Sequence, residues 1–161
     1  MVLLRLIHIL SAIFWMGSTL FIGLILEPAV AAAGPEGSKF MQKLAAGPLS
    51  RMMSITGMLT ILSGLGMYIS FSGGFDPTVM FSTRLPLTLG ALAGLGALLV
   101  GMVVQAPATK QLNALGEQIA SQGGTPTPEQ MAQIAALQRR LRHGGRLDVI
   151  LMLLAVLGMV A

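Results

Sequence analysis

The sequence predicts an all-α integral membrane protein, built as a bundle of four transmembrane helices. Hydrophobic residues make up 54% of the chain and charged residues only 10%, whereas roughly a quarter of a soluble domain is charged. The mean hydropathy is +0.80. Four long apolar segments follow one another along the 161 residues. Lipid must therefore cover much of the surface of the folded chain.

The four apolar segments set the predicted spans, at about residues 3–26, 50–71, 85–104 and 143–161 of one membrane domain that covers residues 1–161. A helix rises ~1.5 Å per residue, so about 20 residues cross a hydrocarbon core of ~30 Å. The first segment is too long for the core of a signal peptide, and we expect it to be retained. Pro28 and Pro107 are expected to stop or kink the first and third spans.

The two long polar stretches, residues 27–49 and 105–142, are predicted to be loops that contain helices of their own. The piece from Glu36 to Ala46 is amphipathic and is expected to lie at the membrane surface. The pattern after residue 108 predicts a helix to about Ser121, a break at 123–126 and a second helix from Pro128. Thr127 is the expected N-cap of that second helix.

The distribution of Lys and Arg predicts the orientation. Eight of the ten basic residues lie at the end that carries the two long loops, and only Arg5 and Arg84 lie at the other end. We therefore expect both loops in the cytoplasm of a bacterial inner membrane and both termini on the outer side. Four arginines are clustered just before the last span: Arg139, Arg140, Arg142 and Arg146. We explain them by topology and by attraction to anionic lipid headgroups, which contributes ~1 kcal/mol per basic residue near the surface. The net charge of +4 then needs no nucleic-acid partner.

His8 is the ionisable side chain of the first span that packing does not obviously explain. His8, Ser11 and Trp15 share one helical face, which predicts a cofactor-binding site with His8 as a haem ligand, a metal ligand or a proton-transfer group. The alternative is an interfacial histidine that hydrogen-bonds a loop or water. His143 is predicted at the opposite membrane face, ~20 Å or more away. The partner of His8 would then be a methionine, a second subunit or an open position.

Small residues in the third span form a stripe at helical spacing: Gly90, Gly94, Ala97 and Gly101. Such a stripe lets another helix backbone come close. The interpretations left open are tight packing inside the bundle, a dimer face and a slot for a cofactor. The chain contains no cysteine, which excludes disulfides and thiolate metal sites.

Glu27 and Asp148 are acids at the ends of apolar spans. An acid at such a depth is unfavourable unless it is paired. We expect Arg51, Arg142 or Arg146 beside Asp148, and a basic residue of the adjoining loops beside Glu27. Both acids are predicted at the membrane interface, and a proton pathway that links them is one hypothesis.

The chain also shows a weak internal duplication. The interval from Arg5 to Pro28 is 23 residues, as is the interval from Arg84 to Pro107. Both intervals run in the same direction through the membrane, so the pattern predicts two helical hairpins related by a parallel repeat.

Residues 6–17, Leu-Ile-His-Ile-Leu-Ser-Ala-Ile-Phe-Trp-Met-Gly, resemble the first helix of small bacterial membrane proteins of the copper-resistance D and DUF2269 type. The four-span protoporphyrinogen oxidase family of haem synthesis has a similar opening. The segment from Gly145 to Asp148 is also similar to uncharacterised relatives of this group. The resemblance implies a four-helix bundle in which His8 ligates b-type haem, or a role in copper handling. The sequence offers no second intramembrane histidine or suitably placed lysine for an oxidase-like site, so we predict no catalytic residue and do not expect an enzyme.

Three functions stay open at this point. The first is haem binding through His8, in electron transfer or another haem-related role. The second is that of a non-catalytic accessory or structural subunit of a larger membrane complex, respiratory or photosynthetic. The third is copper or proton transport. In each case the lipid bilayer is the expected partner, together with other membrane proteins or a second copy of the chain.

Overall fold

The structure, a computed structural model, describes the backbone of residues 1–161 and every side chain except those of Pro35, Ser38, Gln42 and Thr83. The described chain is almost entirely helical and has no β-strand. The helices are α1 (Val2–Phe21), α2 (Glu27–Ala32), α3 (Gly34–Ala46), α4 (Pro48–Phe71), α5 (Leu85–Val100), α6 (Ala106–Ser121) and α7 (Pro128–Val160). Three π-helical segments lie at Ile22–Leu26, Val79–Thr83 and Gly101–Gln105.

Four helical runs are long and apolar enough to cross a membrane. They cover Val2–Ala32, Pro48–Phe71, Leu85–Ser121 and Pro128–Val160. The prediction of an all-helical chain with four candidate spans is therefore confirmed. The side of the membrane on which each end lies stays a prediction.

The helices extend well beyond the apolar segments of the sequence. The first and third runs do not stop at Pro28 and Pro107 but continue to Ala32 and Ser121. The fourth run begins at Pro128, so the basic segment before residue 143 belongs to the same helix as the last apolar segment. Thr127 caps this helix as expected, in a capping box in which the Gln130 N–H donates to the Thr127 hydroxyl.

A π-helical segment precedes each of the two prolines. The N–H of Glu27 donates to the carbonyl of Ile22, and the N–H of Ala106 donates to that of Gly101. In both places the residue just before the proline bonds to the carbonyl five residues earlier, and not four residues earlier as in an α-helix. Proline has no N–H and its ring crowds the carbonyl four residues earlier, so we attribute the wide turns to Pro28 and Pro107. Of the two outcomes that the sequence left open, a stop or a kink, the stop does not occur, and the wide turn was not predicted.

The π-helical segments Ile22–Leu26 and Gly101–Gln105 occupy equivalent places in the two halves of the chain. The same offset of 79 residues separates Ile22 from Gly101, Arg5 from Arg84 and Pro28 from Pro107. The predicted duplication stays a prediction, but the correspondence on which it depends now includes a backbone feature as well as residue types.

Helices pair within each half of the chain. The most extensive packing joins α5 to α7, and the next joins α1 to α4. Between the halves, the Tyr68 hydroxyl of α4 lies 2.7 Å from the Thr88 hydroxyl of α5. The outward surface is rich in exposed large apolar side chains along every run, for example Leu6, Ile13, Leu62, Leu92 and Leu154. This surface suits a lipid environment.

A compact turn joins α4 to the second half. Gly73, Gly74 and Phe75 have positive φ angles of 66°, 83° and 69°, a region that glycine enters readily. Asp76 follows, and its Oδ1 accepts hydrogen bonds from the Thr78 hydroxyl and amide N–H at 2.7 and 2.9 Å. These bonds lower the pKa of the Asp76 carboxyl below its ordinary value.

Candidate functional site

His8 lies at the contact between α1 and α4. Its Nδ1 is 2.8 Å from the carbonyl oxygen of Thr60. Because a carbonyl oxygen only accepts, Nδ1 must carry the hydrogen and donate it. In the neutral ring Nε2 then keeps its lone pair. Within the described part of the chain no hydrogen bond reaches Nε2, and the side chain is half-buried.

Glycine makes room for the His8 ring on α4. A Cβ atom at Gly64 would lie 2.9 Å from Cε1 and 3.1 Å from Nδ1 of His8. The imidazole is therefore held between the backbone of Gly64 and the carbonyl of Thr60. The orientation of the ring is thus set by contacts with α4.

The two other predicted cofactor residues also face α4. The Ser11 hydroxyl is buried and lies 2.9 Å from the Thr60 hydroxyl. A Cβ atom at Gly57 would lie 3.2 Å from Cε2 of Trp15. His8, Ser11 and Trp15 thus form one contact line along α4, as their shared helical face indicates. Each contact is to the protein itself.

Arg5 marks the end of this interface. Its guanidinium lies over the ring of Phe71 at 5.9 Å from the ring centroid, so the start of α1 is beside the end of α4. The other histidine is not part of the site. His143 is exposed on α7, and its neighbour Gly144 packs against Val104. Among the described residues, no group of three or more His, Cys, Asp or Glu side chains could hold a metal ion.

A second polar site lies where α7 crosses the π-helical segment Gly101–Gln105. Asp148 is only 3% exposed. Its Oδ2 accepts a hydrogen bond from Gln105 Nε2 at 3.0 Å, and its Oδ1 is buried without a hydrogen-bond partner in the described chain. A Cβ atom at Gly144 would lie 2.9 Å from Cγ1 of Val104, so the Val104 side chain packs directly on the backbone of α7 here.

The prediction of a basic partner beside Asp148 is wrong. The ion pair found among the described side chains is the exposed pair of Lys39 and Glu36, and no arginine lies within salt-bridge distance of Asp148. Helix geometry explains the absence of a pair. Gly144 and Asp148 share one face of α7, and Arg142 and Arg146 are each offset from it by two residues, which is about 200° around the helix. Their positive charges act on Glu27 instead, which is half-buried at the start of α2.

The four clustered arginines have different surroundings. All four side chains are exposed: Arg139, Arg140, Arg142 and Arg146. Arg140 also donates a hydrogen bond from Nη2 to the carbonyl of Val103 at 3.2 Å. Val103 is four residues before Pro107, which has no N–H to offer this carbonyl. Arg140 thus supplies a donor that the helix lacks, a role that the sequence did not suggest.

Three members of the small-residue stripe are buried on α5: Gly90, Gly94 and Ala97. A Cβ atom at Gly90 would lie 2.8 Å from the carbonyl oxygen of Ala155. Gly101 differs, since nothing lies within 4 Å of the place of its Cβ. The stripe thus provides the close approach of α5 and α7 and stops where the π-helical segment begins.

One further cavity, an open cleft of about 840 Å³, lies between the start of α4 and α6. Arg51, Lys110 and Glu117 line it together with Asn113, whose Oδ1 is buried without a partner among the described residues. We assign no ligand to this cleft, because its lining mixes both signs of charge.

No family model matches the chain, and no curated protein and no solved structure matches it either. The resemblance noted for residues 6–17 therefore stays a prediction. Function has to be inferred from the contacts of His8, of Asp148 and of their neighbours.

Proposed function

We propose that the protein binds a b-type haem through Nε2 of His8 and serves in electron transfer or another haem-related role. The observation that carries the proposal is the hydrogen bond from His8 Nδ1 to the Thr60 carbonyl at 2.8 Å. Histidines that ligate metals generally donate the other ring N–H to a carbonyl or carboxylate, which fixes the tautomer and orients the ring. His8 already has this arrangement, with Nε2 free among the described residues.

The residues around His8 fit a haem better than a bare metal ion. A single imidazole is one donor, whereas a protein-bound metal ion needs three or four donors. A haem already supplies four nitrogen ligands of its own, so one histidine is sufficient to attach it. The second axial position would stay open or be filled by a second copy of the chain.

The absorption spectrum of the purified protein tests this proposal. We expect a Soret band in the wild type, expressed with haem supply, and its loss in His8→Ala. His143→Ala is the matched control, because it removes the other histidine from an exposed place and should keep the band. A wild type without a Soret band after haem addition, or a His8→Ala variant with the full band, would contradict haem binding at His8.

We also propose that the end that carries α3, α6 and the start of α7 faces the cytoplasm of a bacterial inner membrane. The support is the distribution of basic residues, eight against two. Because the chain has no cysteine, single cysteines can report the two sides. A membrane-impermeant maleimide added to intact cells should label Pro77→Cys and leave Ser121→Cys unlabelled until the cells are opened. The reverse labelling would overturn this orientation.

A further inference from the structure

Asp148 is the most deeply buried acid among the described side chains, with 3% of its surface exposed. It is the acid of the apolar part of α7, in one of the four helical runs that are long and apolar enough to cross a membrane. A carboxyl group at such a place usually has a function, since apolar residues would pack there at lower cost.

The surroundings of Asp148 do not compensate a negative charge. Its Oδ2 has one neutral donor, Gln105 Nε2, and its Oδ1 has no partner in the described chain. The nearby elements carry these charged groups: Arg139, Arg140, Arg142 and Arg146 on α7, Lys110 and Glu117 on α6, and Glu27 at the start of α2. The arginines lie beyond salt-bridge distance of Asp148, and Arg140 donates to Val103 instead. A buried carboxylate without a paired cation costs several kcal/mol.

A neutral carboxylic acid fits the same contacts. In that form Oδ2 is the carbonyl oxygen that accepts from Gln105, and Oδ1 carries the proton. The contact is held in place by tight packing one turn before Asp148, where Gly144 lies against Val104. Gln105 is the last residue of the π-helical segment before Pro107, and π-helical turns are frequent at functional sites.

We propose that Asp148 and Gln105 form a proton-binding site inside the membrane, separate from the haem site proposed at His8. In its resting form Asp148 holds the proton on Oδ1. On release, the O–H bond breaks and the proton passes to water at the end of the bundle where Arg142, Arg146 and Glu27 lie. The carboxylate is then an unpaired buried charge until a proton returns.

The contacts favour a proton over a metal cation. Na⁺- and Ca²⁺-type ions need about six oxygen ligands, and Asp148 and Gln105 together provide far fewer. The described residues also contain no group of three or more acids or histidines near one another. A proton needs only the one unpaired oxygen that Asp148 provides.

Infrared spectroscopy of the full chain in lipid nanodiscs tests this site directly. We expect the wild type at pH 6 to show the C=O band of a protonated carboxylic acid, with a downshift in D₂O. Asp148→Asn, which is nearly isosteric, should lose the whole band. Glu27→Gln and Asp76→Asn are the controls, because each removes another carboxyl group and should leave the band unchanged.

Every outcome of this comparison decides the proposal. No band in the wild type, or a band that survives in Asp148→Asn or disappears in Glu27→Gln, overturns it. Loss of the wild-type band on addition of Na⁺ at constant pH would show a cation site instead. If Asp148→Asn fails to fold, Gln105→Leu still decides, because it keeps the acid but removes the donor to Oδ2. That variant should shift the band to higher frequency, and an unshifted band overturns the assignment.

Discussion

Gly158→Ala is expected to lower the thermal unfolding temperature by roughly 10 °C. A Cβ atom at Gly158 would collide with the carbonyl oxygen of Pro86 and would lie 2.7 Å from Cα of Gly90. These atoms belong to the backbone of α5 and cannot rotate away. The two helices must separate, and we expect a loss of about 3 kcal/mol, the upper end of the usual overpacking cost. For a chain of this size that corresponds to roughly 6–12 °C.

Gly101→Ala is the matched control for this prediction. Gly101 belongs to the same small-residue stripe in the sequence, but nothing lies within 4 Å of the place of its Cβ. Alanine there should leave stability unchanged or raise it by up to about 1 kcal/mol, because glycine is the poorer helix former. Circular dichroism during heating in detergent or nanodiscs measures both variants. Equal unfolding temperatures for the two would contradict the close packing of α5 on α7.

The contrast between these glycines shows how far helical periodicity predicts packing. The spacing of Gly90, Gly94 and Ala97 assumes ~100° per residue, and all three are buried where that rotation holds. At Gly101, where the π-helical segment begins, nothing lies within 4 Å of the place of a Cβ, and Val104 and Gln105 make the contact with α7. Periodicity places Gly101 on the packed face, but nothing in a residue pattern shows how close the neighbouring helix comes at each position.

The sequence also indicated which acids and which histidine need an explanation. It could not indicate their partners. The partner of His8 is a backbone carbonyl, at Thr60, and every residue has one, so no residue type marks it. The partner of Asp148 is the amide of Gln105, which the sequence placed outside the third span because the apolar run ends there. A charged partner was expected on electrostatic grounds, whereas the partner found is a neutral amide.

Gly64→Ala is expected to release the His8 ring from its hydrogen bond. The new Cβ would lie 2.9 Å from Cε1 and 3.1 Å from Nδ1 of His8, so the ring must turn away from the Thr60 carbonyl or α1 must move off α4. Either change breaks the 2.8 Å hydrogen bond. We expect a loss of stability of about 1–3 kcal/mol. If haem binds at His8, its affinity should fall by about 10–100-fold, as it does when the orienting partner of a metal-bound histidine is lost.

Nitrogen NMR of histidine-labelled protein measures this effect without any cofactor. In the wild type the His8 ring should be the Nδ1-protonated tautomer, and in Gly64→Ala a mixture of tautomers should replace it. The exposed His143 is the reference within the same spectrum. Gly66→Ala is the matched control, since its Cβ would meet only the Cδ2 methyl of Leu4, at 3.0 Å, and that flexible side chain can move aside. A pure Nδ1-protonated signal in Gly64→Ala, or the same mixture in Gly66→Ala, would show that α4 does not hold the His8 ring in place.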